Sequence, residues 1–463
     1  MINKKFLISI ISILTIFFIL GNLTVEKNND KFTQTLKSFL PDGVKKTLKK
    51  TVFAIPVLFK KNTDQDIRLK KLEKDIGFLK SELIKLTSVM QKSQTKKINS
   101  KNNREYQLTY YKLNLPSHYD WGLKPVAYIE QNDGFIFLTS GNGNFIKIDK
   151  DQLNSEKFNY QIIPTNIKNL IFDEQFYESY ILSIKDLLIK DNKIYFSFGN
   201  VKDECLYINV FRADINNNEL KFSKFFEKRE CKPGRDSMNY QHIGGRIVAF
   251  DENKILLSVG DFGDEDTPQN KDSIFGKIIS INVETKEYEI LSSGSRNAQG
   301  LYYDNEKNII INTEHGPTGG DEVNVNKNPD KGNIENFGWP IVSYGTDGDR
   351  IFPTSHKNLG FIEPIKYFTP SIGISEVIKV RKNFDSEAIN DYFVSALGWK
   401  EQMNEGDQSI HQLRFSNDFL KIEYEDIIPI GERIRDIIYI PNNNSYLLVL
   451  ETVPALGILK IKN

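Results

Sequence analysis

Residues 306–316 read EKNIIINTEHG. A polar turn leads into a short apolar run, and the run stops at a small or charged residue followed by glycine. The same plan recurs in GFIFLTSGNGNFIKID (134–149), NKIYFSFGN (192–200), ENKILLSVGDFG (252–263), NDYFVSALG (390–398) and NNSYLLVLET (443–452). Each run is β-rich and broken by Asn, Asp or Gly, which is the punctuation of strands rather than helices. Repetition at this scale, with irregular connections, predicts an all-β chain with one central strand per blade of a six-bladed β-propeller. A sandwich has too few strands for so many similar units. Apart from a weak stretch at 168–190, helical periodicity is missing after residue 105.

Length and charge set the bounds. The chain has 463 residues, of which 39% are hydrophobic and 26% charged, enough for one large β body with appendages. The formal net charge of +0 hides an asymmetry, because residues 24–104 hold 20 Lys/Arg against 8 Asp/Glu and the rest is acidic. An acidic body argues against nucleic acid as a partner.

The beginning of the chain is a different object from the body. Lys4 and Lys5 precede FLISIISILTIFFIL, and no charge appears from Phe6 to Val25. That stretch reads as a transmembrane signal anchor over 1–25, with the lipid bilayer as partner. Residues 26–104 read as a basic linker and stalk. Within them Leu69, Leu72, Ile76, Leu79, Leu83, Leu86 and Met90 alternate three and four apart, an a/d pattern that predicts a helical coiled coil over 69–90 and a homo-oligomer. A single amphipathic helix lying on the body would show the same pattern. The apolar VFAIPVLF (52–59) is too short to span. The body, 105–463, is expected on the periplasmic side of a bacterial inner membrane, single-pass. Its two cysteines, Cys205 and Cys231, are either buried independently or joined, and an exported domain favours the disulfide.

Beyond the strand at 306–316 lies NTEHGPTGGDEVN (312–324), too rich in Gly, Pro and charge to continue as a strand interior. It reads as a loop, and as a surface turn of solvated acids if taken alone. Four further segments belong beside it: YQHIGGRIVAF (240–250) with LSVGDFGDED (257–266), SSGSRNAQGLYYD (292–304), ENFGWPIVSYG (335–345) and GERIRDIIYIP (431–441). Each stands at the head or tail of an expected blade strand.

In this order the set resembles the soluble quinoprotein aldose sugar dehydrogenases, the glucose/sorbosone dehydrogenase family, over about residues 105–463. The resemblance implies a propeller holding pyrroloquinoline quinone and a calcium ion, with a sugar or alcohol as substrate and a separate electron acceptor. It assigns His242 as the base for the substrate hydroxyl, a task suited to imidazole near neutral pH, and Asp261 as the partner that fixes its tautomer. Arg296, Arg433 and Arg435 match the arginines that hold the tricarboxylate quinone, with Asn297 beside the first. Arg433 and Arg435 are two apart on a strand and share a face. In the family the Gly-Pro of the loop offers main-chain carbonyls to calcium, so Gly316 and Pro317 are carried over as metal ligands and His315 as a cofactor contact. Asp321 and Glu322 then add negative potential or cap the turn.

One departure matters. Where the family carries lysine after the strand matching FVSAL, this chain has Gly398; Lys400 is expected to reach back as a cofactor contact, or Trp399 to stack on a flat ring. Two functions therefore stand. The first is a membrane-anchored dehydrogenase passing hydride to the quinone. The other is a catalytically inactive propeller acting as a binding module, with a calcium-dependent hydrolase behind both.

Overall fold

The computed structural model describes residues 89–113, 126–179, 181–215, 219–234, 241–398 and 406–462. The expected anchor (1–25), the 52–59 segment, the heptads up to Leu86 and Lys400 with Trp399 lie outside them.

The described chain is all-β and propeller-like. Strands Ala127–Gln131, Phe135–Ser140, Phe145–Asp149 and Lys157–Ile163 form unit one, an antiparallel meander. Unit two is Ile184–Lys190, Lys193–Lys202, Cys205–Asp214 and Ser223–Cys231. Unit three is Gly244–Ala249, Lys254–Val259, Lys277–Asn282 and Tyr288–Ser293; unit four is Ala298–Asp304, Ile309–Glu314, Asp321–Lys327 and Lys366–Phe368. Unit five is Ile374–Lys379, Asp391–Ala396, Ile410–Phe415 and Ile422–Ile428. In unit six, Ile434–Ile440, Ser445–Leu450 and Ala455–Ile461 are completed by a strand from the other end of the body, Glu105–Lys112. The first strands of the units touch in cyclic order and close back from six to one.

Apolar residues fill the gaps between neighbouring units. One buried cluster joins units six and one through Ile129, Leu138, Ile440 and Leu447. Others join one to two, two to three, four to five and five to six. The gap between units three and four is thinner, with only Leu256, Ile278, Leu291, Leu301 and Ile310 fully in its cluster. Ile310, Asn312 and Glu314 share one face of their strand, opposite Asn326, Asn324 and Glu322. Polar side chains therefore occupy what is apolar core elsewhere. Burial pushes the Glu314 carboxyl up to about 8, with Glu322 adding to the effect.

The stretch expected as linker before residue 105 is a correction. Val89–Asn99 is a strand, β1, and the compact body begins at Val89. β1 pairs with Glu105–Lys112 (β2) along Lys92–Asn99 and with unit one at Val89–Gln91, welding units six and one into one nine-stranded sheet. Met90, the last heptad position, is a buried strand residue. Only Met90 and Ile98 of β1 are buried, so its lysines face water and the strand reads as loop. The weak periodicity at 168–190 yields a helix of one turn, Glu174–Glu178. Among the described residues no helix is long and apolar enough to cross a membrane. Cys205 and Cys231 stand opposite each other in unit two and form a disulfide.

At the centre of the ring, Arg246 of unit three is 2% exposed and meets three carboxylates. Its Nη1 lies 2.8 Å from Glu376 of unit five, 3.1 Å from Asp186 of unit two and 3.4 Å from Asp436 of unit six. Each acid also accepts a backbone N–H from the adjoining unit. Asp186 takes that of Ile247 at 2.9 Å, Asp436 that of Ile129 at 2.8 Å and Glu376 that of Leu301 at 3.4 Å. Irregular register at Ile184/Asp186, Gly244/Ile247, Ile374/Val377 and Ile434/Asp436 marks the level of this hub, as bulges do where side chains are re-aimed. Burial raises Asp186 to about 7 despite Arg246, and raises Glu376 well above the carboxylate range.

Candidate active site

The expected site residues fall at two kinds of position. His242, Arg296 and Arg433 precede the first strand of units three, four and six, whereas Asp261 and His315 follow the second strand of units three and four, as Glu451, which no motif singled out, does in unit six. Antiparallel pairing brings those positions to one rim.

His242 and Asp261, paired by the resemblance, stand in contact. His242 Nδ1 lies 2.9 Å from Asp261 Oδ1, the Asp261 side chain being almost wholly buried and that of His242 16% exposed. An ionised carboxylate accepts, so a neutral imidazole in this contact carries its proton on Nδ1 and leaves Nε2 as the acceptor. The backbone is shaped for this contact. His242 has φ of 55°, a left-handed conformation uncommon outside glycine. A Cβ on Gly260 would sit 1.7 Å from the His242 carbonyl oxygen, so that position admits only glycine.

Asp261 uses both oxygens. Oδ1 also accepts the Gly263 N–H at 2.7 Å, and Oδ2 accepts the Trp339 indole N–H at 2.8 Å. Trp339 comes from the long excursion between Lys327 and Lys366, which crosses to unit three where Glu335–Asn336 pairs with Ser292–Ser293. The sequence motif that contains Trp339 assigns it no role, and its signal was its place in FGWP. The Arg296 guanidinium stands 5.3 Å from the Trp339 ring centroid.

Arg296 Nη1 donates to the carbonyls of His315 at 3.1 Å and Gly316 at 2.9 Å, while its buried Nε has no partner among the described residues. Burial lowers its affinity for the proton, opposed by Asp261 and Glu314. Asn297 accepts from the Gly244 N–H at 3.2 Å and from Gln299 Nε2 at 2.8 Å. His315 turns Nε2 to the Ile374 carbonyl of unit five, and burial disfavours its protonation. Arg433 and Arg435 share one carboxylate. Glu451 lies 3.3 Å from Arg433 Nε and 2.6 Å from Arg435 Nε. Arg435 Nη1 reaches Gln299 Oε1 at 3.3 Å, which ties this pair to Asn297. Lys185, half-buried on unit two, interacts with Arg435 and Glu451, and burial pulls its ammonium down to about 7. Neither Gln299 nor Lys185 stands out in the sequence.

Near Gly398, Arg433 Nη1 donates to the Leu397 carbonyl at 3.2 Å and that of Gly398 at 2.7 Å. The Gly-Pro loop is held by Asp321, whose Oδ1 accepts from Gly316 N at 3.2 Å and Oδ2 from Ile374 N at 2.9 Å. Asp321 is 2% exposed, a turn-capping strap rather than a solvated acid. A Cβ on Gly316 would lie 2.1 Å from the Gly320 carbonyl oxygen, so the loop needs glycine there too.

A ring of meanders carrying a His–Asp pair beside clustered arginines matches what the resemblance to the glucose/sorbosone dehydrogenases implies. The chain belongs to that family, whose model matches residues 184–455. It is 30% identical over 283 residues to an uncharacterized protein of Synechocystis, covering 55% of this chain and 64% of that protein. It is 27% identical over 228 residues to the aldose sugar dehydrogenase YliI of Escherichia coli, covering 46% and 58%. Each alignment thus spans less than two thirds of the relative's length. Among solved structures, the soluble aldose sugar dehydrogenase of Escherichia coli in its apo-form superimposes with a TM-score of 0.56 at 18% identity, over 80% of this chain and 99% of that one. The PQQ-bound aldose sugar dehydrogenase of Streptomyces coelicolor gives 0.51 at 15% identity, over 77% and 98%. Those two likenesses show the shared fold.

Proposed function

We propose that the body is a six-bladed propeller that oxidises an aldose sugar or related alcohol, passing hydride to bound pyrroloquinoline quinone and electrons on to a separate acceptor. The observation that carries this reading is the His242–Asp261 pair standing beside Arg296 on one rim. The residues fit a polyanionic cofactor. Arg433 and Arg435 already share a carboxylate, that of Glu451, and Arg296 keeps a buried donor without a partner among the described residues. The quinone, when bound, supplies the two-electron acceptor. The chain supplies the rest. His242 Nε2 takes the proton of the substrate hydroxyl, and Asp261 holds the ring and stabilises the imidazolium that forms. Arg296, Arg433 and Arg435 fix the cofactor's carboxylates, with Asn297 and His315 beside them. Lys400 is kept as a further contact.

Calcium stands apart. The Gly316 carbonyl already accepts from the Arg296 guanidinium, so Gly316 and Pro317 fit a cation only if Arg296 turns away. The anchor, the periplasmic placement and assembly through the stalk are proposed from the sequence, and the Cys205–Cys231 disulfide supports an oxidising compartment.

The binding-module reading draws on Gly398, where the expected lysine is replaced and the main-chain carbonyl accepts from Arg433. One experiment separates the two. Purified protein is titrated with the quinone, with and without calcium, and assayed for sugar-dependent reduction of a dye. Replacing Arg433 and Arg435 together by alanine is expected to weaken quinone binding by about 2 kcal/mol, ~30-fold. Unchanged affinity in that variant, or wild-type protein that never takes up the quinone, favours the binding module.

A further inference from the structure

The excursion from unit four places a tryptophan where it touches Asp261 after the second strand of unit three and Arg296 before the first strand of unit four. We propose that Trp339 is a positioning residue for the His242–Asp261 pair, its indole N–H pinning the second carboxylate oxygen so that imidazole Nε2 is held as the acceptor. This rests on the reading of His242 as the base.

Three observations carry it. Asp261 is 0% exposed, so no water replaces a donor lost from Oδ2. With Oδ1 shared by His242 and Gly263, the 2.8 Å indole bond to Oδ2 fixes the rotation of the carboxylate. The indole is itself built in. Trp339 is 5% exposed, its backbone N–H donates to the Gly294 carbonyl at 3.1 Å, and its carbonyl accepts from Gln269 Nε2 at 2.7 Å. Its ring packs 5.3 Å from that of Phe352. Gln269 is held in turn by Asn336, whose Nδ2 donates to Gln269 Oε1 at 2.7 Å. A polar network of this kind orients a partner more tightly than one contact does.

The placement also explains a choice of side chain. Phenylalanine would pack on Phe352 and cover Arg296 equally well, because an aromatic face suffices for both. Only tryptophan adds an N–H at that depth. The excursion therefore delivers one donor to a carboxylate that its own unit leaves half-satisfied.

Trp339→Phe keeps the ring and removes the donor. In the apoprotein, 15N spectra of histidine-labelled material report the His242 tautomer directly, and with 5 histidines in the chain a His242→Gln spectrum assigns the signal. Wild type is expected to show protonated Nδ1 and unprotonated Nε2, whereas Trp339→Phe shows the two tautomers mixed. In the quinone-loaded protein the same variant should lower kcat about tenfold with little change in KM, and quinone affinity should hold because the ring over Arg296 remains. Combined with Asp261→Asn, the double variant should be no slower than Asp261→Asn alone, since Trp339 acts through Asp261. A wild-type tautomer in Trp339→Phe, or additive losses in the double variant, overturns the proposal. The tautomer measurement needs no cofactor, so it stands even where the dehydrogenase reading fails.

Discussion

The His242→Ala protein is expected to turn over ~10²–10⁴-fold more slowly than wild type while binding the quinone almost as well. The size follows from the arrangement. Nδ1 is committed to Asp261 at 2.9 Å, which leaves Nε2 as the ring's proton acceptor. The arginines that would hold the cofactor have separate partners, Glu451 and the loop carbonyls, and do not depend on the imidazole. Steady-state kinetics with a dye acceptor, alongside a quinone titration, check both halves of the statement. Normal turnover in the alanine variant removes His242 from the mechanism.

The Arg246→Leu protein is expected to lose about 3–5 kcal/mol of stability near neutral pH, because three buried carboxylates are left without their cation. Acid should restore much of it. Burial holds Asp186 up to about 7, far above its value in an unfolded chain. A carboxyl raised in the fold contributes stability that is fully present below its unfolded pKa and is lost as pH rises through about 7. Glu376 is raised in the same direction. Wild type should therefore be more stable at about pH 5.5 than at about pH 8.5, and the variant more steeply so. Denaturant melts at both pH values decide it. A variant equally weak at both would show that Arg246 acts by filling space and not by charge.

Much of the fold was legible. Each of the six apolar runs read from the sequence contains the second strand of one unit, from Phe135–Ser140 through Ser445–Leu450, and the run at 134–149 goes on into the third strand of its unit, Phe145–Asp149. Those strands are buried on both faces, so each carries at least three consecutive apolar residues instead of an apolar–polar alternation. The first strands were harder to see because they carry the hub. IKDLL (184–188), ISEVI (374–378) and IRDII (434–438) repeat one plan, an acid set among apolar residues, and an acid normally signals solvent. The repeat itself was the missed clue. β1 was lost for the opposite reason, since its exposed lysines conceal two buried anchors.

At the site, the residues carried by motifs did gather: His242 meets Asp261, and Arg296 meets His315 and Gly316. What no spacing could reveal was the long-range donor, Trp339, lying 78 residues from Asp261 in sequence. Nor could it show that Glu451 bridges Arg433 and Arg435. Such pairings are set by the closure of the ring.

That closure has a consequence for how the protein is made. β2 supplies the fourth strand of unit six and pairs from Tyr106–Lys112 with Ala455–Ile461. A nascent chain stalled before Ala455 can assemble five meanders yet has nothing to seal the circle, and its open edges expose apolar surface and unpaired backbone. Contacts this far apart in sequence also make folding slow. The protein should therefore acquire its native state only once Ala455–Ile461 has been made and released, and until then it is a client for whatever keeps unfinished chains apart.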